Sequence, residues 1–253
     1  MHPDERAVSK RTVVVTGGGK GIGRAIAEQF AASECGVIAV GRDERALAEV
    51  AGVRVAAEVC DVTDEQAVTA LFERLGPVDV LVNSAGIAES APLRRTTLDD
   101  WRRHFDVNAT GPFLCIRAAL PAMLARDSGR IVTIASTAGL EGSAYTAAYT
   151  ASKHAVVGLT RVVAAEVAGT GVTANAVCPT YVRTAMIERA VDRIAASTGR
   201  SREEGAAALA AMSPLGRLLE PAEVAAAVLF LASDTAAAIN GQAIVLDGGG
   251  LQR

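Results

Sequence analysis

The feature that most constrains this chain is a regular alternation of short β-branched runs with longer alanine-rich segments of helical period. The runs are TVVVT (Thr12 to Thr16), GVIAV (Gly36 to Val40), VRVAAEV (Val53 to Val59), VDVLVNS (Val78 to Ser84), RIVTIAS (Arg130 to Ser136), VTANAVC (Val172 to Cys178) and QAIVLD (Gln242 to Asp247). Such alternation predicts an α/β fold, with a parallel sheet carrying helices on both faces. Near-continuous apolar character is expected where both faces of a strand are covered. Seven strands fit one doubly wound sheet. No linker, repeat or low-complexity tract divides residues 1–253, so they read as one domain, and half the positions are apolar, enough for a core that needs no disulfide or metal.

Charge narrows the partners. Lys and Arg number 25 against 28 Asp and Glu, a net charge of −3, which offers no basic field for nucleic acid or anionic lipid. Cys35, Cys60, Cys115 and Cys178 lie far apart without C-x-x-C spacing, and His2, His104 and His154 add no ligand cluster. The opening MHPDERAVSKR lacks the apolar stretch of a signal peptide, and no apolar run is seen to approach the roughly 20 residues of a membrane span. The expectation is a cytoplasmic, reduced protein with no membrane or nucleic-acid partner. One interval breaks the rhythm: Ala185 to Ser213 carries two helical patterns with no strand between them, and is read as a lid over a ligand site.

Two local patterns carry chemistry. After the first run comes TGGGKGIGRAIAEQF, with glycines at 17, 18, 19, 21 and 23 between a buried strand and an amphipathic helix. Glycines let backbone N–H groups reach a pyrophosphate, and the helix N-terminus adds partial positive charge. The spacing is G-x-x-x-G-x-G rather than G-x-G-x-x-G, and a glycine-rich turn that binds nothing stays open as the alternative. Further on, Tyr149 and Lys153 stand at i and i+4 on one helical face. An ammonium near a phenol favours the phenolate, so Lys153 is expected to lower the Tyr149 pKa toward working pH. Lysine is scarce here: only Lys10, Lys20 and Lys153 among the 25 basic residues. An ordinary snorkelling pair is the plainer reading of Y-x-x-x-K alone.

Taken together, TGGGKGIG, Asp61-Val62, NSAG at Asn83 to Gly86, VNATG around Asn108, Ser136 upstream of Tyr149, YTASK and CPTYVRT resemble the short-chain dehydrogenase/reductase family, in order and over essentially the whole chain. The resemblance implies a single-domain Rossmann-type sheet, a nicotinamide cofactor and a catalytic tetrad of Asn108, Ser136, Tyr149 and Lys153. In the implied reaction Tyr149 gives a proton to the developing alkoxide and Ser136 hydrogen-bonds that oxygen. Lys153 also holds the nicotinamide ribose, and Asn108 positions a water that feeds protons toward Lys153. The implied cofactor contacts are Gly17, Gly19, Lys20, Gly21, Ile22 and Gly23 in the turn, then Gly41, Arg42, Asp61, Val62, Asn83, Ala85 and Gly86. Pro179, Thr180, Val182 and Thr184 follow the sixth strand, and Tyr149 and Lys153 complete the set. Ser84 and Thr180 depart from the family's usual Asn and Gly, and Thr180 puts a β-branched side chain near the nicotinamide.

Cofactor choice turns on the end of the second run. Gly41 stands where an acid would bind the ribose diol, and Arg42, with Lys20 nearby in similar proteins, suits a 2′-phosphate. NADP(H) is favoured. NAD(H) stays open because Asp43 falls at the spacing of a ribose acid. GRIVTIAST, YTASKHAVVG and TANAVCP are similar to the branch of 3-oxoacyl-carrier-protein reductases and polyketide ketoreductases, which implies a ketone or secondary-alcohol substrate, thioester-bound in that branch. The alternatives are an NAD-dependent secondary-alcohol or hydroxyacyl-thioester dehydrogenase and a non-catalytic dinucleotide-binding regulator. Glu141, Tyr145 and Tyr181 are candidate pocket residues. Arg94, Arg95, Arg102 and Arg103 form a basic cluster that suits an acidic carrier protein or simply a solvated face. The family resemblance further implies a homotetramer built through the Tyr149 helix and the last strand.

Overall fold

The computed structural model describes residues 11–199 and 201–252; the leader reading of Met1 to Arg11, with His2 and Lys10, lies almost wholly outside them. Strands β1 (Thr12–Thr16), β2 (Gly36–Gly41), β3 (Val55–Val59), β4 (Val80–Asn83), β5 (Gly129–Ile134), β6 (Val172–Pro179) and β7 (Ala243–Leu246) form one parallel sheet. Their spatial order is β3-β2-β1-β4-β5-β6-β7, so the winding reverses between β1 and β4. That reversal opens a crevice at the carboxyl ends of the strands. The expected α/β fold and strand count hold.

Alternate residues of each strand feed opposite layers. Val13, Val15, Val80 and Val82 pack with Ile26, Phe30, Val224, Val228 and Leu231, from α1 (Gly21–Ala32) and α9 (Pro221–Ala232). Val14, Leu81 and Ile131 pack the other way, onto Val68, Leu71, Leu114, Met123 and Val163. Those come from α3 (Glu65–Leu75), α5 (Gly111–Ala125) and α6 (Ala147–Glu166). Burying each such Val or Leu contributes about 1.5–3 kcal/mol, which makes the double layer the source of stability.

Three boundaries differ from expectation by two residues, and the others by one at most. Val53 is fully exposed and β3 starts at Val55, because residues 53 and 54 form a turn closed by reciprocal hydrogen bonds between Gly52 and Val55. β4 starts at Val80, two residues after the expected Val78. β5 stops at Ile134, and Ser136 opens a short 3₁₀ turn (Thr137–Gly139) by accepting the Ala138 N–H on its Oγ. The run Leu98–Ala125, from α4 (Leu98–Phe105) through a π-helical turn at Asp106–Thr110 into α5, is long and apolar enough by composition to cross a bilayer, which corrects the expectation that no such run exists. In the fold its Leu114, Cys115, Ile116 and Met123 are spent against the sheet. Residues 185–213 form α7 (Ala185–Thr198) and α8 (Arg202–Ala210), whose Val191 and Leu209 share a small apolar cluster with Leu218 and Tyr181.

Candidate active site

Two loops meet at the crevice. The glycine turn after β1 folds back so tightly that Gly17 takes φ +68°, and a Cβ there would stand 2.9 Å from Ala85 of the β4 loop. Gly23, in the first turn of α1, faces the Gly17 carbonyl so closely that a Cβ would lie 2.3 Å from it. Ser84 and Ala85 N–H both donate to Thr16 Oγ1, at 3.1 and 3.2 Å, which locks the two loops together. Gly21 faces Thr184, with a Cβ position 3.2 Å from its Cγ2.

The turn leaves the start of its helix open. Asp43, Asp64, Thr97 and Ser201 cap α2 (Glu44–Val50), α3, α4 and α8, each accepting a backbone N–H. At α1 no described side chain caps the helix and its first turn holds no acid. Its first N–H groups therefore lack intrahelical partners, and the helix dipole places about half a positive charge there. Beside it, buried Asn83 Oδ1 has no hydrogen-bond partner among the described residues. A dinucleotide's phosphates fit this arrangement: glycine access, unpaired donors and favourable charge.

The four tetrad candidates converge at the ends of β4, β5 and α6. Lys153 is buried, and its Nζ donates to the Ile134 carbonyl at 2.8 Å and lies 5.8 Å from the Tyr149 ring centroid. The Ser136 side chain lies close enough to the Tyr149 phenol to favour its ionised form. Asn108 sits in the π-helical turn, where its Nδ2 donates to Ile87 O and Ser152 Oγ, both at 3.0 Å, and its Oδ1 accepts Ile87 N–H at 2.9 Å. Gly86 joins them: a Cβ there would lie 3.3 Å from Asn108 Oδ1 and 3.6 Å from Lys153 Nζ.

Electrostatics correct one expectation. Burial raises the Tyr149 phenol above its ordinary value, with the Ser136 hydrogen bond pulling the other way. Burial likewise pushes the Lys153 ammonium down, to about 8. Lys153 is not among the groups that shift Tyr149, and loss of solvent sets the direction for both side chains. Cys178, at the end of β6, is buried beside them, its thiol pushed up to about 11 by burial.

The remaining candidates spread along the crevice. β2 ends at Gly41, and Arg42 reaches Asp61 at 3.4 Å. Asp61 Oδ1 also accepts from Thr63 N–H and Oγ1, at 3.0 and 2.8 Å. Val62 is buried against Gly111. Asp43 is engaged on both oxygens, by Lys20 and by the Ala46 N–H, which hold its carboxyl below the usual range. Thr180 N–H donates to Leu246 O at 3.0 Å, and Val182 is buried, bridging to Leu219. Tyr181 hydrogen-bonds Met212, and burial, then the nearby Glu141 carboxylate, raise its phenol. Tyr145 is 65% exposed, with φ +68°; such a backbone costs on the order of 1–3 kcal/mol. Among the described residues no hydrogen bond joins it to the tetrad. Of the basic cluster, Arg103 pairs with Glu89 and Asp100 and Arg102 with Asp99. The sequence assigns no role to His104, which stands four residues before Asn108, and places Cys178 only within the CPTYVRT motif.

The family model described as Enoyl-(Acyl carrier protein) reductase matches residues 17–250. The chain belongs to the short-chain dehydrogenase/reductase family. Among curated members it is 40% identical over 253 residues to a protein assigned as ketoacyl reductase 1 of the granaticin polyketide synthase of Streptomyces violaceoruber, covering 95% of this chain and 93% of that one. It is 43% identical over 244 residues to galactitol 2-dehydrogenase (L-tagatose-forming) of Cereibacter sphaeroides, covering 93% and 92%. A variant actinorhodin polyketide ketoreductase solved with NADPH superposes with TM-score 0.90 at 38% identity, covering 94% of this chain and 96% of that one. This short-chain dehydrogenase/reductase is an oxidoreductase.

Proposed function

We propose that the enzyme reduces a ketone with NADP(H), the ketone being a β-ketoacyl thioester or a polyketide-like carbonyl. The observation that carries this reading is the Ser136–Tyr149–Lys153 grouping beside an uncapped, glycine-lined helix N-terminus. The cofactor, held by the glycine turn, Ala85, Gly86 and the Pro179–Thr184 segment, supplies hydride when bound. Ser136 Oγ accepts the Ala138 N–H, and its hydroxyl proton, which otherwise favours the Tyr149 phenolate, turns to a substrate oxygen. Tyr149, its phenol raised by burial, keeps its proton at neutral pH and so serves as the acid that reduction needs. Lys153, near 8, can return a proton close to neutral pH. Asn108 spends both donors and one lone pair on Ile87 and Ser152, leaving one lone pair of Oδ1 for a water.

Two observations favour NADP(H). Arg42 follows the last residue of β2 with its guanidinium largely in solvent, and Asp43 is committed to Lys20 and to capping α2. The relatives named for polyketide ketoacyl reduction, and the ketoreductase solved with NADPH, support the same reading. The likeness to galactitol 2-dehydrogenase favours a second one, oxidation of a secondary alcohol with NAD. Glu141, Tyr145 and Tyr181 border the substrate, with residues 185–213 as its lid. The assembly is a homotetramer in the cytoplasm; exposed Phe113 and Val162 on α5 and α6, and the outer edge of β7, which no described strand pairs, support the assembly.

The test is NADPH consumption with ketones by wild type and Tyr149→Phe. Losing the phenol proton should lower turnover by about 10²–10⁴-fold while NADPH affinity stays the same. Unchanged turnover removes Tyr149 from its role.

A further inference from the structure

The loop after β4 runs beside the helix that carries Asn108, and its alternate backbone N–H groups each find an acceptor. Ile87 N–H donates to Asn108 Oδ1 at 2.9 Å, Glu89 N–H to His104 Nε2 at 3.2 Å, and Ala91 N–H to the Tyr145 carbonyl at 2.8 Å. Four residues of helix rise about 6 Å, and two residues of extended chain advance about 6.6 Å. The spacing of His104 and Asn108 along the helix therefore matches that of the donors at 89 and 87. Together they form two rungs of one rail.

His104 is built for this place. Only 1% of it is exposed, and the nitrogen facing the Glu89 N–H must offer its lone pair. The hydrogen then sits on Nδ1, which donates to the Asp100 carbonyl at 2.7 Å within α4. Both ring nitrogens are thus used, and Arg103 clamps the Glu89 carboxylate at 2.5 Å. A cavity of about 60 Å³ between His104, Thr96, Ala148 and Tyr145 separates the rail from the start of α6. Across it, the Ala91 bond holds the backbone of Tyr145, exposed and left-handed, four residues before Tyr149 and outside α6.

We infer that His104 is a positioning residue for substrate recognition. It fixes the 87–91 segment, and through Ala91 it holds the strained Tyr145 where its ring borders the incoming ketone. The inference rests on the ketone-reducing reading above for its kinetic consequence, though not for the clamp itself.

The test uses the full chain with NADPH and two probes, cyclohexanone and the bicyclic 1-tetralone, on His104→Leu, His104→Gln, Tyr145→Gly and the Leu/Gly double variant. His104→Leu should raise KM for 1-tetralone at least tenfold, with kcat within threefold and the NADPH dissociation constant unchanged. His104→Gln, whose amide oxygen can accept the Glu89 N–H, should restore KM to within threefold of wild type. Tyr145→Gly, at an exposed site that leaves the core intact, should reproduce the KM rise, and the double variant should add nothing. A purely structural histidine would lower Tm and leave KM alone, and that result overturns the inference, as do additive KM effects. Amide hydrogen exchange reads the clamp without turnover: in His104→Leu, Glu89 and Ala91 should exchange at least tenfold faster while Ile87 stays protected. If wild type reduces neither ketone, the functional reading fails and exchange alone decides the clamp; unchanged exchange at Glu89 and Ala91 refutes it.

Discussion

Replacing Lys153 by Met should make the protein more stable while disabling it. The folded state holds the ammonium almost out of water, lowering its pKa from the ordinary 10.5 to about 8. A fall of about 2.5, at about 1.36 kcal/mol for each, amounts to a cost on the order of 3 kcal/mol. Met also deletes the 2.8 Å bond from Nζ to the Ile134 carbonyl, a loss of about 1 kcal/mol. The net gain at pH 7 is therefore about 2 kcal/mol. Its pH dependence has a definite sign: between about 8 and 10.5 the unfolded chain carries the extra proton, so wild-type stability rises with pH across that window. Below about 8 the full penalty applies, and above 10.5 it is gone. Urea unfolding of both proteins from about pH 7 to 10 should show Lys153→Met ahead by about 2 kcal/mol at the lower end, with the gap closing by the upper end. A variant no more stable at neutral pH, or a gap that ignores pH, refutes the claim that burial dominates Lys153.

Three further outcomes are expected. Gly23→Ala would bring a methyl 2.3 Å from the Gly17 carbonyl, so the turn must shift; thermal unfolding should report about 1–3 kcal/mol lost, and titration at least tenfold weaker NADPH binding. Arg42→Ala should weaken NADPH at least tenfold, about 1.4 kcal/mol, and leave NADH unchanged, as read by cofactor fluorescence; equal effects on both would point to Asp43 as the ribose ligand. Val162→Glu, at a 54% exposed site on the Tyr149 helix, should lower the mass measured by light scattering without changing the circular dichroism, and an unchanged mass would place the assembly interface elsewhere.

Much of the molecule was legible from local patterns. The β-branched runs located all seven strands, because a strand covered on both faces has to be apolar throughout. The interval from 185 to 213 read as two helices and is two helices, since its periodicity is a property of neighbouring residues. The errors lie where a short turn cuts into a strand-like run. Val53 sits in the turn closed between Gly52 and Val55, and Ser136 opens a turn because its hydroxyl accepts the Ala138 N–H.

At the site, the chain's own order determined which side chains are present and that Tyr149 and Lys153 share a helical face, one turn apart. Only the tertiary structure decided the strand order whose reversal opens the crevice, and the burial that turns the Tyr149 phenol upward against the pull expected from its lysine. Likewise, nothing in the string WRRHFDVN announces that His104 meets the Glu89 amide, fifteen residues away. Periodicity reports neighbours along the chain, whereas solvent exclusion and hydrogen-bond partners are set by segments brought together from across it.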